Sequence, residues 1–185
     1  MSLAQQVMQP PFKPAGGRRE YNCHGAVIYW AARANGLAQD RAYALYNRIA
    51  EHYNGQLNST HATTSILSGG YGETFCRVNV KLTTPTLNPA EYSVGDVIFT
   101  PYPSHPMHSM IVVAVSVADK TINVRGYNNC GTFLEDAPPP PRDAYDDHTR
   151  NLATRVYKDV AIYRIPENTF CLKIKSVAMS LGFRA

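Results

Sequence analysis

Asn22-Cys23-His24-Gly25-Ala26-Val27-Ile28-Tyr29-Trp30-Ala31-Ala32-Arg33-Ala34-Asn35-Gly36 runs from a loop into an apolar helix and out through a helix stop. Val27, Trp30, Ala31 and Ala34 recur at helical spacing, which predicts a buried, rigid helix over about residues 23–34. Asn35-Gly36 ends it, because glycine readily takes the left-handed backbone that closes a helix. Gly25 leaves room for another segment to approach closely. Cys23 thus stands where a loop meets a helix, and the partly positive end of the helix dipole favours a thiolate there.

Outward from this stretch, a second helix is expected from Asp40, as N-cap, to about Tyr53. Its Ala42, Leu45, Tyr46, Ile49 and Tyr53 keep helical spacing, and Asn54-Gly55 closes it. Residues 56–72, rich in Thr, Ser and Gly, predict a short third helix and a loop. From Phe75 the texture becomes strand-like. Phe75–Leu82 is one candidate, and Val97–Thr100 follows the turn Val94-Gly95-Asp96, where Asp96 reads as a turn former. Ser109–Val117 is a β-branched run, Thr121–Arg125 follows the turn at Ala118-Asp119-Lys120, and Val156–Arg164 is the last candidate. Pro138–Pro141 falls in a surface loop within residues 131–155. Helices followed by an antiparallel sheet make an α+β fold. The expected division is a flexible N-terminal arm, 1–19, and a single domain, 20–185.

The 185 residues suit one domain with a proper core. With 44% hydrophobic and 17% charged residues the composition excludes a disordered chain. Eighteen basic residues against 14 acidic give +4, and they are scattered, which argues against nucleic-acid binding. Such a charge suits a polyanionic surface, though only mildly. No apolar run reaches the length of a membrane span, so no membrane insertion is expected. Met1–Gly17 carries Pro10, Pro11 and Pro14 and no apolar core, unlike a conventional secretory signal. Cys23, Cys76, Cys130 and Cys171 form neither a CxxC pair nor a zinc-like pattern, so neither metal nor cofactor is expected. Cys76, Cys130 and Cys171 read as core or disulfide positions, with the pairing open.

A thiolate nucleophile needs a base from elsewhere in the fold. His108 immediately precedes Ser109-Met110-Ile111-Val112-Val113, a candidate central strand, and a polar start to a buried strand calls for a reason. The following hairpin brings residues 125–129 back towards it. Asn128 is the candidate orienter of the imidazole, with Asn129 and Asp136 as alternatives, in a Cys-His-Asn arrangement. The backbone N–H of Cys23 would donate to an oxyanion, with a second donor from the segment of Tyr21. His24 would line the cleft or support the site, and His105 would lie on its rim. Cys130 is the alternative nucleophile, although no helix follows it. The plainer readings are an inert buried Cys23 and a structural His108.

Asn22-Cys23-His24-Gly25-Ala26-Val27 resembles the Asp-Cys-Ser-Gly-Leu-Val signature of NlpC-type cell-wall peptidases and CHAP amidases. Val94-Gly95-Asp96-Val97-Ile98-Phe99 resembles their Pro-Gly-Asp-Leu-Val-Phe turn, and His108-Ser109-Met110-Ile111-Val112 their His-Val-Gly-Ile-Val strand. Gly126-Tyr127-Asn128 stands where CHAP members carry Glu-x-Asn. The resemblance spans about residues 20–130. It implies a papain-like catalytic domain that hydrolyses amide bonds, often those of peptidoglycan, through Cys23, His108 and Asn128. Small amidase effectors of contractile secretion systems share this plan and also lack signal peptides. The likeness implies a secreted toxin or lytic enzyme acting in a target-cell periplasm, with an immunity or inhibitor protein as partner. The chain departs from the pattern at His24, where Ser is usual, and at Gly126, where CHAP members have Glu. Two alternatives remain: a protein-directed cysteine protease, deamidase or transglutaminase-like toxin, and a non-enzymatic binding module on a decayed peptidase fold.

Overall fold

The computed structural model describes residues 1–17, 21, 23–52, 81–82, 89–100, 108–118, 121–127, 145–150 and 162–184. In chain order these hold helices α1 (Leu3–Gln6), α2 (Cys23–Ala34) and α3 (Gln39–His52), then strand β1 (Lys81–Leu82) and a 3₁₀ turn (Pro89–Glu91). Strands β2 (Val97–Thr100), β3 (His108–Ser116), β4 (Thr121–Tyr127), β5 (Tyr145–Arg150) and β6 (Ile162–Ile165) follow, and helix α4 (Glu167–Ser180) ends the series. The strands form one antiparallel sheet in the order β1-β6-β2-β3-β4-β5. Helices packed on an antiparallel sheet make the α+β class expected.

Helix α2 has the bounds its sequence predicts. Gly36 at φ 92° closes it: its N–H reaches the Arg33 carbonyl at 2.9 Å, and the Leu37 N–H reaches Ala32 at 3.1 Å. Leu37 is buried behind this turn, completing a Schellman stop. Every residue from Cys23 to Ala32 is buried, as expected of a helix that is apolar on all sides. Helices α1, α3 and α4 pack around it, and β3 and β4 lie beneath it.

The close approach expected at Gly25 comes from Tyr46 of α3. A β-carbon at position 25 would lie 2.9 Å from Tyr46 Cζ and nearer still to Cε2. Tyr46 cannot easily yield, because its ring stacks on Tyr21 at 4.6 Å between centroids. Gly25→Ala should therefore destabilise the fold by about 1–3 kcal/mol despite alanine's better helix propensity. Urea titration checks this: the midpoint should fall with an unchanged slope.

Helix α3 begins one residue before the expected cap. The Ala42 N–H bonds the Ala38 carbonyl at 2.8 Å, so Asp40 lies inside the first turn. A carboxylate there still faces the positive end of the helix. Tyr53, the expected last residue, and the helix and loop expected at 56–72 lie outside the described residues, as do residues 75–80 of the Phe75–Leu82 strand.

The Val94-Gly95-Asp96 turn launches β2 as expected. The Ser93 N–H donates to Asp96 Oδ2 at 2.8 Å, and Arg164 Nη1 of β6 lies 3.6 Å from that oxygen. Asp96 is thus a structural turn residue tied to the neighbouring strand. In the β2–β3 ladder Val97 pairs with Ile111, Ile98 with Met110 and Thr100 with His108. The two faces of the sheet follow from this register. Val97, Ile111, Tyr127 and Ile165 join the core under the helices, whereas Ile98, Met110, Val112, Ile122 and Val124 pack with Tyr92 in a second cluster. An irregularity between Val112 and Ala114 shifts the β3–β4 pairing by one residue.

Two expectations need correction. The N-terminal segment, read as a flexible arm over 1–19, is anchored at points within residues 1–17: Leu3 and Val7 are fully buried, Pro11 is buried, and Trp30 Nε1 donates to the Gln9 carbonyl at 2.9 Å, while most of the other side chains are exposed. Leu3 and Val7 join the core cluster against which α2 packs. The loop expected over 131–155 contains β5, which pairs along the whole of β4 from Ile122↔Arg150 to Tyr127↔Tyr145. Its polar sequence suits an edge strand. Of the two readings given for Cys171, core or disulfide, the core one holds: it is a free thiol on α4 packed against the main cluster, while Cys76 and Cys130 lie outside the described residues.

Candidate active site

Cys23 is the first residue of α2, 4% exposed. Cys23 thus lies at the positive end of the α2 dipole. His24, 5% exposed, meets the fully buried Ser109 of β3: its Nδ1 and the Ser109 hydroxyl share a hydrogen bond. This contact sets the first turn of α2 against the opening of β3. Ser109 was not among the residues singled out from the sequence. Its signal was a hydroxyl directly preceding the apolar run Met110–Val115.

Tyr21, two residues before Cys23, is 2% exposed and is a core hub. Its ring stacks on Tyr46 and meets Tyr29, Tyr43 and Tyr127 edge-on, the last at 6.2 Å. Its hydroxyl donates to the Phe12 carbonyl at 2.9 Å. Burial, reinforced by the neighbouring phenols, holds it neutral far above the usual tyrosine range. A role for Tyr21 at an oxyanion would therefore belong to its backbone.

His108 opens β3 opposite Thr100. Its side chain lies outside the described residues, as do Asn22, His105, Asn128, Asn129, Cys130 and Asp136. The chain on either side of the candidates is nevertheless brought together. His24, one residue after Cys23, touches Ser109, one residue after His108; Tyr21, two before Cys23, touches Tyr127, one before Asn128. The register also carries a constraint. Ser109 and Ile111 face the helices, whereas position 108 shares the register of Met110 and Val112.

The other described thiol differs in kind. Burial, with the Glu167 carboxylate nearby, pushes Cys171 up to about 11. Near pH 7.5 only about 3 in 10,000 such thiols are ionised. Iodoacetamide at that pH should leave Cys171 unmodified over a time that alkylates an ordinary free thiol, as peptide mass mapping would show.

Among the described residues no cluster of His, Cys, Asp and Glu could hold a metal ion, and no helix is long and apolar enough to cross a membrane. Comparison with family models, with curated protein sequences and with solved structures finds no match to this chain.

Proposed function

We propose that the chain is a cysteine amidohydrolase of papain-like architecture, with Cys23 as nucleophile, His108 as base and Asn128 orienting the imidazole. The observation that carries this reading is the pair of flanking contacts, His24 with Ser109 and Tyr21 with Tyr127. They join the three segments that bear the candidates, although those segments are far apart in sequence. A thiol on the first turn of a buried helix is also where a thiolate is stabilised.

In this mechanism His108 takes the thiol proton and the sulfur attacks the amide carbonyl carbon. The oxyanion is met by backbone N–H groups of Cys23 and of the segment of Tyr21. The C–N bond breaks as the imidazolium protonates the departing amine. Water then attacks the thioester, releasing a carboxylic acid and restoring the thiol. The resemblance of the three motifs favours peptidoglycan peptide or the sugar–peptide link as substrate. On that reading the protein is a delivered effector or lytic enzyme, with a periplasmic site of action and an immunity protein as partner. The test is digestion of purified sacculi by wild type and by Cys23→Ala, with fragment masses compared. Identical fragment patterns from the two proteins would end the proposal. A mass gain of about one unit in a protein target without cleavage would redirect it to deamidation.

One observation favours a second reading. Position 108 shares the register of residues that face away from α2, so the hydrolase reading requires β3 to turn toward the helix tip at its first residue. Without that turn, the chain is a binding module on a peptidase-like scaffold. Rapid alkylation of Cys23 by iodoacetamide near neutral pH separates the two, since an inert Cys23 favours the binding module.

A further inference from the structure

We infer that His24 and Ser109 form a positioning pair that sets the rotation of α2 about its axis and so aims the Cys23 thiol. The inference rests on the hydrolase reading above. Both side chains are buried, and they meet within the apolar seam between α2 and the sheet. A buried imidazole and a buried hydroxyl are each costly unless satisfied, and each supplies what the other lacks. Van der Waals packing, such as that of Tyr46 behind Gly25, holds the start of α2 in place but discriminates less sharply between neighbouring rotations. A hydrogen bond is directional and fixes one.

Rotation matters here because successive helical residues are about 100° apart. With residue 24 pinned to the sheet, Cys23 stands at the flank of the helix–sheet seam. A slip by one residue would turn the thiol into the seam against β3, away from its place at the helix tip. The pair holds in either charge state of the ring: a neutral Nδ1 accepts from the hydroxyl, and a protonated one donates to it. It is a fixed pin.

The sequence supports the assignment independently. His24 and Ser109 occupy two of the positions at which this chain departs from the Asp-Cys-Ser-Gly-Leu-Val and His-Val-Gly-Ile-Val signatures. The two departures touch each other, one polar group matched by another across 85 residues of chain.

Steady-state cleavage of soluble muropeptides by His24→Ala, Ser109→Ala, the double variant and His24→Asn tests the pin. An asparagine amide can take the place of Nδ1. Each alanine variant should lower kcat by about 10–100-fold with KM nearly unchanged, the scale expected when a reacting group is misplaced by about an ångström. The double variant should be no worse than the poorer single, and His24→Asn should recover kcat to within about threefold of wild type. Additive losses, failure of His24→Asn to recover, or losses that follow the folded fraction measured by circular dichroism would overturn the pin. Cys23→Ala is the control for the underlying reading. If it cleaves as wild type does, the hydrolase reading fails, and the pin is judged by Cys23 alkylation instead. An equal iodoacetamide rate in wild type and Ser109→Ala would then overturn it, and a changed rate would support it.

Discussion

Cys23→Ala is expected to lower amide cleavage by on the order of 10⁴–10⁶ while leaving the chain folded. The substitution removes one sulfur from a buried helix start and adds nothing, so its structural cost should be about 1 kcal/mol. On the proposed mechanism the loss has no substitute, since the Cys23 sulfur is the attacking atom. His108→Ala should cost nearly as much, since a thiol without its base is a poor nucleophile. The double variant should then be little worse than either single, because nucleophile and base act as one unit. Cys23→Ser should also be nearly inactive, since a hydroxyl is far harder to ionise than a thiol. Timed release of fragments from muropeptides, read by mass, measures all four. Activity of Cys23→Ala within tenfold of wild type would remove the enzyme assignment. Losses that multiply in the double variant would mean that His108 acts elsewhere than on Cys23.

The elements around this site were legible in unequal degree. Helix α2 was readable to its bounds because its signals are local: apolar residues at helical spacing and a glycine stop that works wherever it stands. The β2 turn and β3 were equally plain, being a Gly-Asp turn and a β-branched run. Helix α4 was not anticipated. Its Phe170, Ile174, Val177 and Ala178 keep helical spacing, but Thr and Ser interrupt the run and a strand leads directly into it across Pro166. Helix α1 has only four residues; a capping box of Ser2 and Gln5 opens it and the burial of Leu3 anchors it, a local signal too short to be read as a helix by itself. Strand β5 reads Tyr-Asp-Asp-His-Thr-Arg and has no apolar alternation, because an edge strand takes its order from its partner's backbone. Cys23 was visible from its place at a loop–helix junction. Its surroundings were not, because the contact of His24 with Ser109 joins residues 85 apart and exists only once the helix lies on the sheet.

The second large effect is expected at alkaline pH, where the chain should unfold steeply. Tyr21, Tyr29 and Tyr92 are nearly inaccessible, and burial is the leading reason that all three phenols hold their protons above the usual range. Cys171 behaves alike, raised by burial to about 11. The sign follows from linkage. Each folded-state value lies above the unfolded one, near 10.0 for tyrosine and 9.0 for cysteine. Below those values both states hold the proton and stability is whole. Above them the unfolded chain releases protons that the folded chain keeps, so stability falls as pH rises. Each fully protected group contributes about 1.4 kcal/mol per pH unit, so Tyr21 and Tyr92, the two most strongly raised, together should remove about 3 kcal/mol per unit above pH 10. Against a typical domain stability of about 5–15 kcal/mol, that slope should unfold a chain at the lower end of the range between about pH 11 and 12. Tyrosinate absorbance should then rise in one cooperative step that coincides with loss of helical circular dichroism. Tyr92→Phe should reduce the slope of the urea midpoint against pH by one group's share. A gradual tyrosinate titration of the folded chain, with midpoints flat to about pH 11, would mean that the phenols clustered around Tyr21 are open to water. The packing of Tyr46 behind Gly25, which holds the start of α2 in place, would then fail with it.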